Sequence, residues 1–211
     1  MLSDRYKDAM IFAARLHDRQ TRKGTEVAYL THLISVSALV MENGGDEDQG
    51  IAALLHDALE DQGLDYESEY FVEPRQGRPA LKRDIELRYG TRVLAIVIGC
   101  TDDEDFAKPA ASERGSVEAW RARKQAYIQH ARKLSAPSLR VSAADKVHNS
   151  YAILRDLRNS GERVWGRFKA TPDDVVAYYE SLVRAYREAG GGLLVDELDR
   201  IVRGIQREMG Y

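Results

Sequence analysis

The sequence predicts an all-α fold, one helical bundle domain over residues 1–211, and three observations predict it. Apolar residues recur at three- and four-residue spacing through most of the chain, runs that alternate with period two are scarce, and helix-starting and helix-ending residues flank the periodic segments. A chain of 211 residues also lies below the ~250–300 at which one core usually gives way to several.

The elements follow in order. A first amphipathic helix is expected from about Asp4 to Arg19, with Tyr6, Met10, Ala13, Ala14 and His17 on one face, ahead of the basic, glycine-containing segment TRKGTEVAY. A second carries His32, Val36 and Leu39 and stops at Asn43-Gly44-Gly45, a run suited to a left-handed cap. A third starts near Asp46 and carries Ile51, Ala52, Leu54, Leu55, His56, Asp57, Glu60 and Asp61. Residues 62–79, with Gly63, Pro74, Gly77 and Pro79, read as an irregular connection. Helix resumes near Ala80, pauses at Gly90 and continues from Thr91 to about Gly99, and the segment from Thr101 to Gly115 reads as a mobile, site-gating loop.

Another helix is expected over Val117 to Leu134, and Ser135 with Pro137 starts a long one through Asp145, Asn149 and Leu157. Thr171-Pro172-Asp173-Asp174 combines an N-cap, a first-turn proline and two acids over the positive end of the helix dipole. Gly190 to Gly192 closes that helix, and a last amphipathic helix covers residues 193–208.

Composition narrows the function. With 44% apolar and 31% charged residues the chain is that of a globular protein, and apolar runs such as Leu94 to Ile98 fall far short of the ~20 residues that span a bilayer. The N-terminus places Asp4 and Asp8 among its first residues and lacks a secretory pattern, so a cytoplasmic location without a membrane partner is expected. A net charge of −3 argues against a nucleic-acid coat. Cys100, the one cysteine, excludes an internal disulfide and a thiolate zinc site, and reads as a core residue.

The stretch LLHDALEDQ carries the chemistry. His56, Asp57, Glu60 and Asp61 emerge within two turns of an apolar segment, where buried carboxylates must be paired, hydrogen-bonded or bound to a cation. His32 in YLTHLISV and Asp145 in LRVSAADKVHN are further candidates for that cation. Two imidazoles and two carboxylates suit an octahedral divalent ion with open water positions better than a closed structural zinc, with manganese the first choice.

The order His32, His56-Asp57, Asp145 resembles that of the HD-domain phosphohydrolase superfamily. HDALEDQ resembles the HDxxED box in the hydrolase domains of RelA/SpoT homologues, and ADKVHN their second box. RKGTEVAYLTH, CTDDE and WRARKQAY extend the similarity over roughly residues 4–187, and the whole looks like the stand-alone, Mesh-type small alarmone hydrolases. The resemblance implies one Mn²⁺ held by His32, His56, Asp57 and Asp145, with Glu60 and Asp61 as the catalytic pair, and hydrolysis of guanosine 3′-pyrophosphates such as (p)ppGpp. It further implies nucleotide contacts by Arg22 and Lys23, a sugar contact by Asn149, distal phosphate contacts by Lys108, Arg123 and Lys124, and a packing or supporting role for His148.

One departure bears on selectivity. After Asn149 stand Ser150, Tyr151 and Ala152, where the long enzymes usually carry an arginine and a polar, nucleotide-contacting side chain. Adenosine 3′-pyrophosphates and NADPH therefore stay open as substrates. The competing readings are another HD nucleotidase, acting on deoxynucleotides or nucleoside monophosphates, and a non-catalytic nucleotide-sensing module. Oligomeric state cannot be read from the sequence.

Overall fold

The computed structural model describes residues 2–69, 76–101 and 116–211. Among them the fold is all-α: ten α-helices and one 3-10 segment, with no strand beyond the isolated bridges Thr21–Ala28 and Glu67–Gln76. The chain divides into two compact units, Met1–Thr101 with Arg140–Ala144, and Asp102–Leu139 with Asp145–Tyr211. No described helix is long and apolar enough to cross a membrane.

The first unit holds α1 (Asp4–Leu16), α2 (Leu30–Glu42), α3 (Glu47–Leu55), α4 (Ala58–Asp61), α5 (Gly77–Tyr89) and α6 (Thr91–Cys100). At its centre lies α3, packed on α1, α2 and α6, with every residue from Gln49 to Leu55 buried. Its start is fixed by a reciprocal capping box: Asp46 accepts from the Gln49 amide at 3.1 Å and the Gln49 side chain accepts from the Asp46 amide at 3.0 Å. The stop of α2 is equally local. Gly44 adopts φ +78°, and the Gly45 and Gly44 amides donate to the carbonyls of Val40 (2.9 Å) and Met41 (3.1 Å), a Schellman pattern.

Four expectations about this unit change. α1 ends at Leu16 rather than near Arg19, and its buried stripe is Tyr6, Ala9, Phe12 and Ala13, while Met10 is exposed. The third helix is broken at His56-Asp57, because the His56 imidazole donates from Nδ1 to the Ala53 carbonyl (2.8 Å), the group an unbroken helix would offer to the Asp57 amide. α5 begins at Gly77, three residues before the expected restart, since Pro79 falls in its first turn, where no amide partner is needed. Cys100 is only half-buried. Pro74, the greater part of the expected gating segment (residues 102–115) and Lys108 lie outside the described residues.

In the second unit α9 (Pro172–Glu188) packs against α7 (Val117–Ala131) and α10 (Leu193–Glu208). Thr171 caps α9 as expected, in a box with Asp174. α8 (Ala136–Ser160) starts from a Ser135 cap and supplies Arg140–Ala144 to the first unit and residues from Asp145 onward to the second. A 3-10 segment, Gly161–Arg167, had no counterpart in the sequence reading.

Candidate metal centre

His32 lies in the first turn of α2, and His56-Asp57 forms the joint between α3 and α4. The two imidazoles are buried and Asp57 is half-buried, and one donor atom from each of the three lies within 4.8 Å of the others. Asp57 Oδ2 is 3.0 Å from His56 Nε2 and 3.8 Å from His32 Nε2, and the two rings meet edge to face with centroids 5.3 Å apart. Because His56 donates from Nδ1 to a backbone carbonyl, its Nε2 lone pair is turned toward the cluster, the tautomer that a metal-binding histidine needs. The Tyr29 hydroxyl donates to Asp57 Oδ2 at 2.5 Å and orients that carboxylate. Borderline nitrogen donors beside a hard oxygen, all in a small buried volume, fit a divalent first-row cation.

Glu60 and Asp61 occupy the end of α4 and are solvent-exposed, in contrast to the buried Ala58 and Leu59 on the same turn. Burial within its surroundings, followed by the charge of Asp57, raises the Asp61 pKa, against hydrogen bonding from Gln20. Just beyond, Gly63 has no room for a Cβ, which would meet the Leu59 carbonyl oxygen at 2.5 Å. Arg22 and Lys23 sit on a tight hairpin-like loop: the Arg22 amide donates to Val27 O (2.8 Å), the Tyr29 amide to Gln20 O (2.9 Å), and Gly24 takes φ +72°. The Arg22 guanidinium lies 6.0 Å from the centroid of the Tyr29 ring.

Four further expected residues belong to the second unit. Asp145 is buried, and its two carboxylate oxygens accept from Lys146 Nζ and Asn149 Nδ2, each at 2.5 Å. Asn149 thus stands one turn from Asp145 on the same face of α8, as its spacing implies. Lys124 lies over the Tyr178 ring, 4.9 Å from the centroid, and Arg123 is half-exposed beside it in α7.

Sequence reasoning missed a polar group beside the His32–His56–Asp57 cluster. His17, read as a member of an apolar face, is 3% exposed, stacks on Tyr29 (centroids 5.4 Å apart, 25° between planes) and donates from Nδ1 to Gln20 Oε1 at 2.6 Å. Its Nε2 is buried with no hydrogen-bond partner among the described residues. The pair His17-x-x-Gln20, two polar residues at helical spacing across a helix end, was the available signal.

Burial holds the His17 pKa below its ordinary value, outweighing the Gln20 bond and the neighbouring carboxylates. The folded chain then binds this proton less well than the unfolded one. The contribution is fully present above the unfolded value, about pH 6.5, and is lost as pH falls from there through the lowered folded value. Melting temperature is expected to drop on acidification below that point, with a shallower drop in His17→Asn. Equal slopes in parallel thermal melts would contradict the assignment.

The HD-domain family matches residues 9–176. The chain is 28% identical over 204 residues to the guanosine-3′,5′-bis(diphosphate) 3′-pyrophosphohydrolase MESH1 of Drosophila melanogaster, covering 95% of this chain and 94% of that protein. It is 28% identical over 145 residues to the bifunctional (p)ppGpp synthase/hydrolase SpoT of Escherichia coli strain K12, of which the match covers 17%. A solved structure described as a metazoan ortholog of SpoT that hydrolyses ppGpp superposes with a TM-score of 0.68 at 27% identity, over 98% of this chain and 97% of that one. A second, lmo0812 from Listeria monocytogenes EGD-e, shares the fold, with a TM-score of 0.62 at 23% identity over 83% of this chain and 99% of that one. The buried histidine pair with its adjoining aspartate is thus found in a chain similar to MESH1 over 95% of its length, and the chain belongs to the HD-domain family.

Proposed function

We propose that the chain hydrolyses the 3′-pyrophosphate of guanosine alarmone nucleotides such as (p)ppGpp, releasing pyrophosphate. The observation that carries this reading is the His32–His56–Asp57 cluster with the Glu60-Asp61 carboxylates one turn further on, in a chain similar to MESH1 over nearly its full length.

His32, His56, Asp57 and Asp145 would hold one divalent cation, with manganese the choice that a mixed nitrogen and oxygen set favours. A divalent ion, when bound, supplies positive charge for the phosphoryl oxygens and lowers the pKa of a water. Glu60 and Asp61 orient the attacking water, take its proton and manage the proton at the leaving side. The water oxygen bonds to the phosphorus next to the ribose, the bond from that phosphorus to O3′ breaks, and O3′ departs with a proton. Arg22, above the Tyr29 ring, offers a flat guanidinium for stacking on the base, and the exposed Lys23 reaches phosphate. Asn149 bonds the sugar, and Lys108, Arg123 and Lys124 serve the distal phosphates. The same reading puts the protein in the cytoplasm, with a nucleotide rather than a nucleic acid or a membrane as its partner.

Base selectivity is the part with a second reading. Ser150 is fully buried and donates to the Val147 carbonyl at 3.1 Å, so it is turned away from solvent, and Tyr151 is exposed. That arrangement supports tolerance of adenosine 3′-pyrophosphates or NADPH. The deciding assay offers guanosine and adenosine 3′-pyrophosphates and NADPH with and without Mn²⁺. Pyrophosphate release from the guanosine compounds only with the metal is the expected result; orthophosphate from NADPH alone would overturn it.

A further inference from the structure

We infer that Gln20 is a positioning residue for the Asp61 carboxylate, its side-chain amide locked in one orientation by His17 and Gln62. The inference rests on the reading of Asp61 as a catalytic acid or base.

The argument starts from hydrogen-bond polarity. Gln20 Nε2 lies 2.6 Å from Asp61 Oδ2. An ionised carboxylate only accepts, so Gln20 must present its NH₂ to Asp61 and its carbonyl oxygen to the opposite side. On that side Oε1 meets His17 Nδ1 and Gln62 Nε2, each at 2.6 Å. Both lone pairs of Oε1 are thereby used. Turning the amide over would set oxygen against carboxylate oxygen and NH₂ against the Gln62 NH₂, so one rotamer satisfies all three contacts.

The backbone is pinned as well. The Gln20 amide donates to His17 O at 3.0 Å, and its carbonyl accepts from Tyr29 at 2.9 Å. His17 is itself buried and stacked on Tyr29, whose hydroxyl holds Asp57. Gln62 follows Asp61 directly and closes the arrangement from the α4 side.

Asp61 needs such a device. It stands at the solvent-accessible end of a four-residue helix and borders an open depression of about 570 Å³ lined in part by Arg15, Arg19, Gln20 and Gln62. A charge-assisted bond from a fixed donor restricts that carboxylate without covering it.

Two substitutions in the metal-loaded protein test this. Gln20→Glu keeps an oxygen for His17 and Gln62 but, when ionised, offers Asp61 no donor and places a second carboxylate against it; Gln20→Leu removes all three bonds without adding charge. Both are expected to lower kcat for pyrophosphate release about ten- to a hundred-fold, by analogy with the hydrogen-bond partners of metal ligands, with KM and metal stoichiometry unchanged. Gln20→Glu sets a second carboxylate against Asp61 and should melt below the unsubstituted protein; kcat is therefore read below the melting transition of each variant, which keeps the test open if either is destabilised. Full turnover by Gln20→Glu would overturn the inference, because bracing without donation would then suffice. Asp61→Asn, assayed alongside, separates the two failures. An inactive Asp61→Asn beside a fully active Gln20→Glu sinks the positioning role alone, whereas an active Asp61→Asn removes the catalytic reading of Asp61 and the inference with it.

Discussion

Asp57→Ala is expected to remove the metal and the reaction together. Asp57 is the one oxygen donor of the described cluster, 3.0 Å from His56 Nε2 and 3.8 Å from His32 Nε2, so its loss leaves that cluster two imidazoles and no carboxylate of its own to offset a dication. Outer partners of metal ligands are alone worth ~10–100-fold in affinity, and loss of a ligand should cost at least that much. Tyr29→Phe, which deletes the hydroxyl that orients Asp57, should fall inside that range and retain partial activity. Metal content after dialysis and pyrophosphate release are the paired measurements. A dialysed Asp57→Ala protein with one tightly held ion per chain would exclude the cluster as the metal centre.

The features legible in the sequence are those with local causes. Asp46 and Gln49 are three residues apart and make α3's cap between themselves; Thr171, Pro172 and Asp174 do the same for α9. The stop at Asn43-Gly44-Gly45 needs only a residue tolerant of positive φ. His32 and His56 were legible because polar side chains in apolar segments demand a partner, and the structure buries both.

The missed features depend on contacts between distant segments. Continuity from Ile51 to Asp61 fails because one imidazole competes for a backbone carbonyl, which helical spacing does not encode. Gln20 and Gln62 are uncharged, lie outside the apolar periodicity and acquire meaning only where the end of α1 meets the end of α4. His17 misled the reading because its spacing matched an apolar stripe that the structure shifts to Ala9 and Phe12.

Asp61→Asn is expected to retain the metal and the fold while lowering kcat by ~10²–10⁴-fold, the range that a positioned acid or base contributes. The substitution is nearly isosteric, and an asparagine carbonyl can still accept the Gln20 N–H that now reaches Asp61 Oδ2 at 2.6 Å, so the surrounding bonds survive while the basic carboxylate does not. Glu60→Gln provides the comparison. Both residues are exposed at the same helix end, and the larger loss in kcat identifies the one that takes the proton from water, with pre-steady-state release of pyrophosphate as the measurement. Only a nucleotidase that does not use this acidic pair would tolerate Asp61→Asn, so turnover of deoxynucleotides or nucleoside monophosphates by that variant, at the unsubstituted rate, would move the chain into that class.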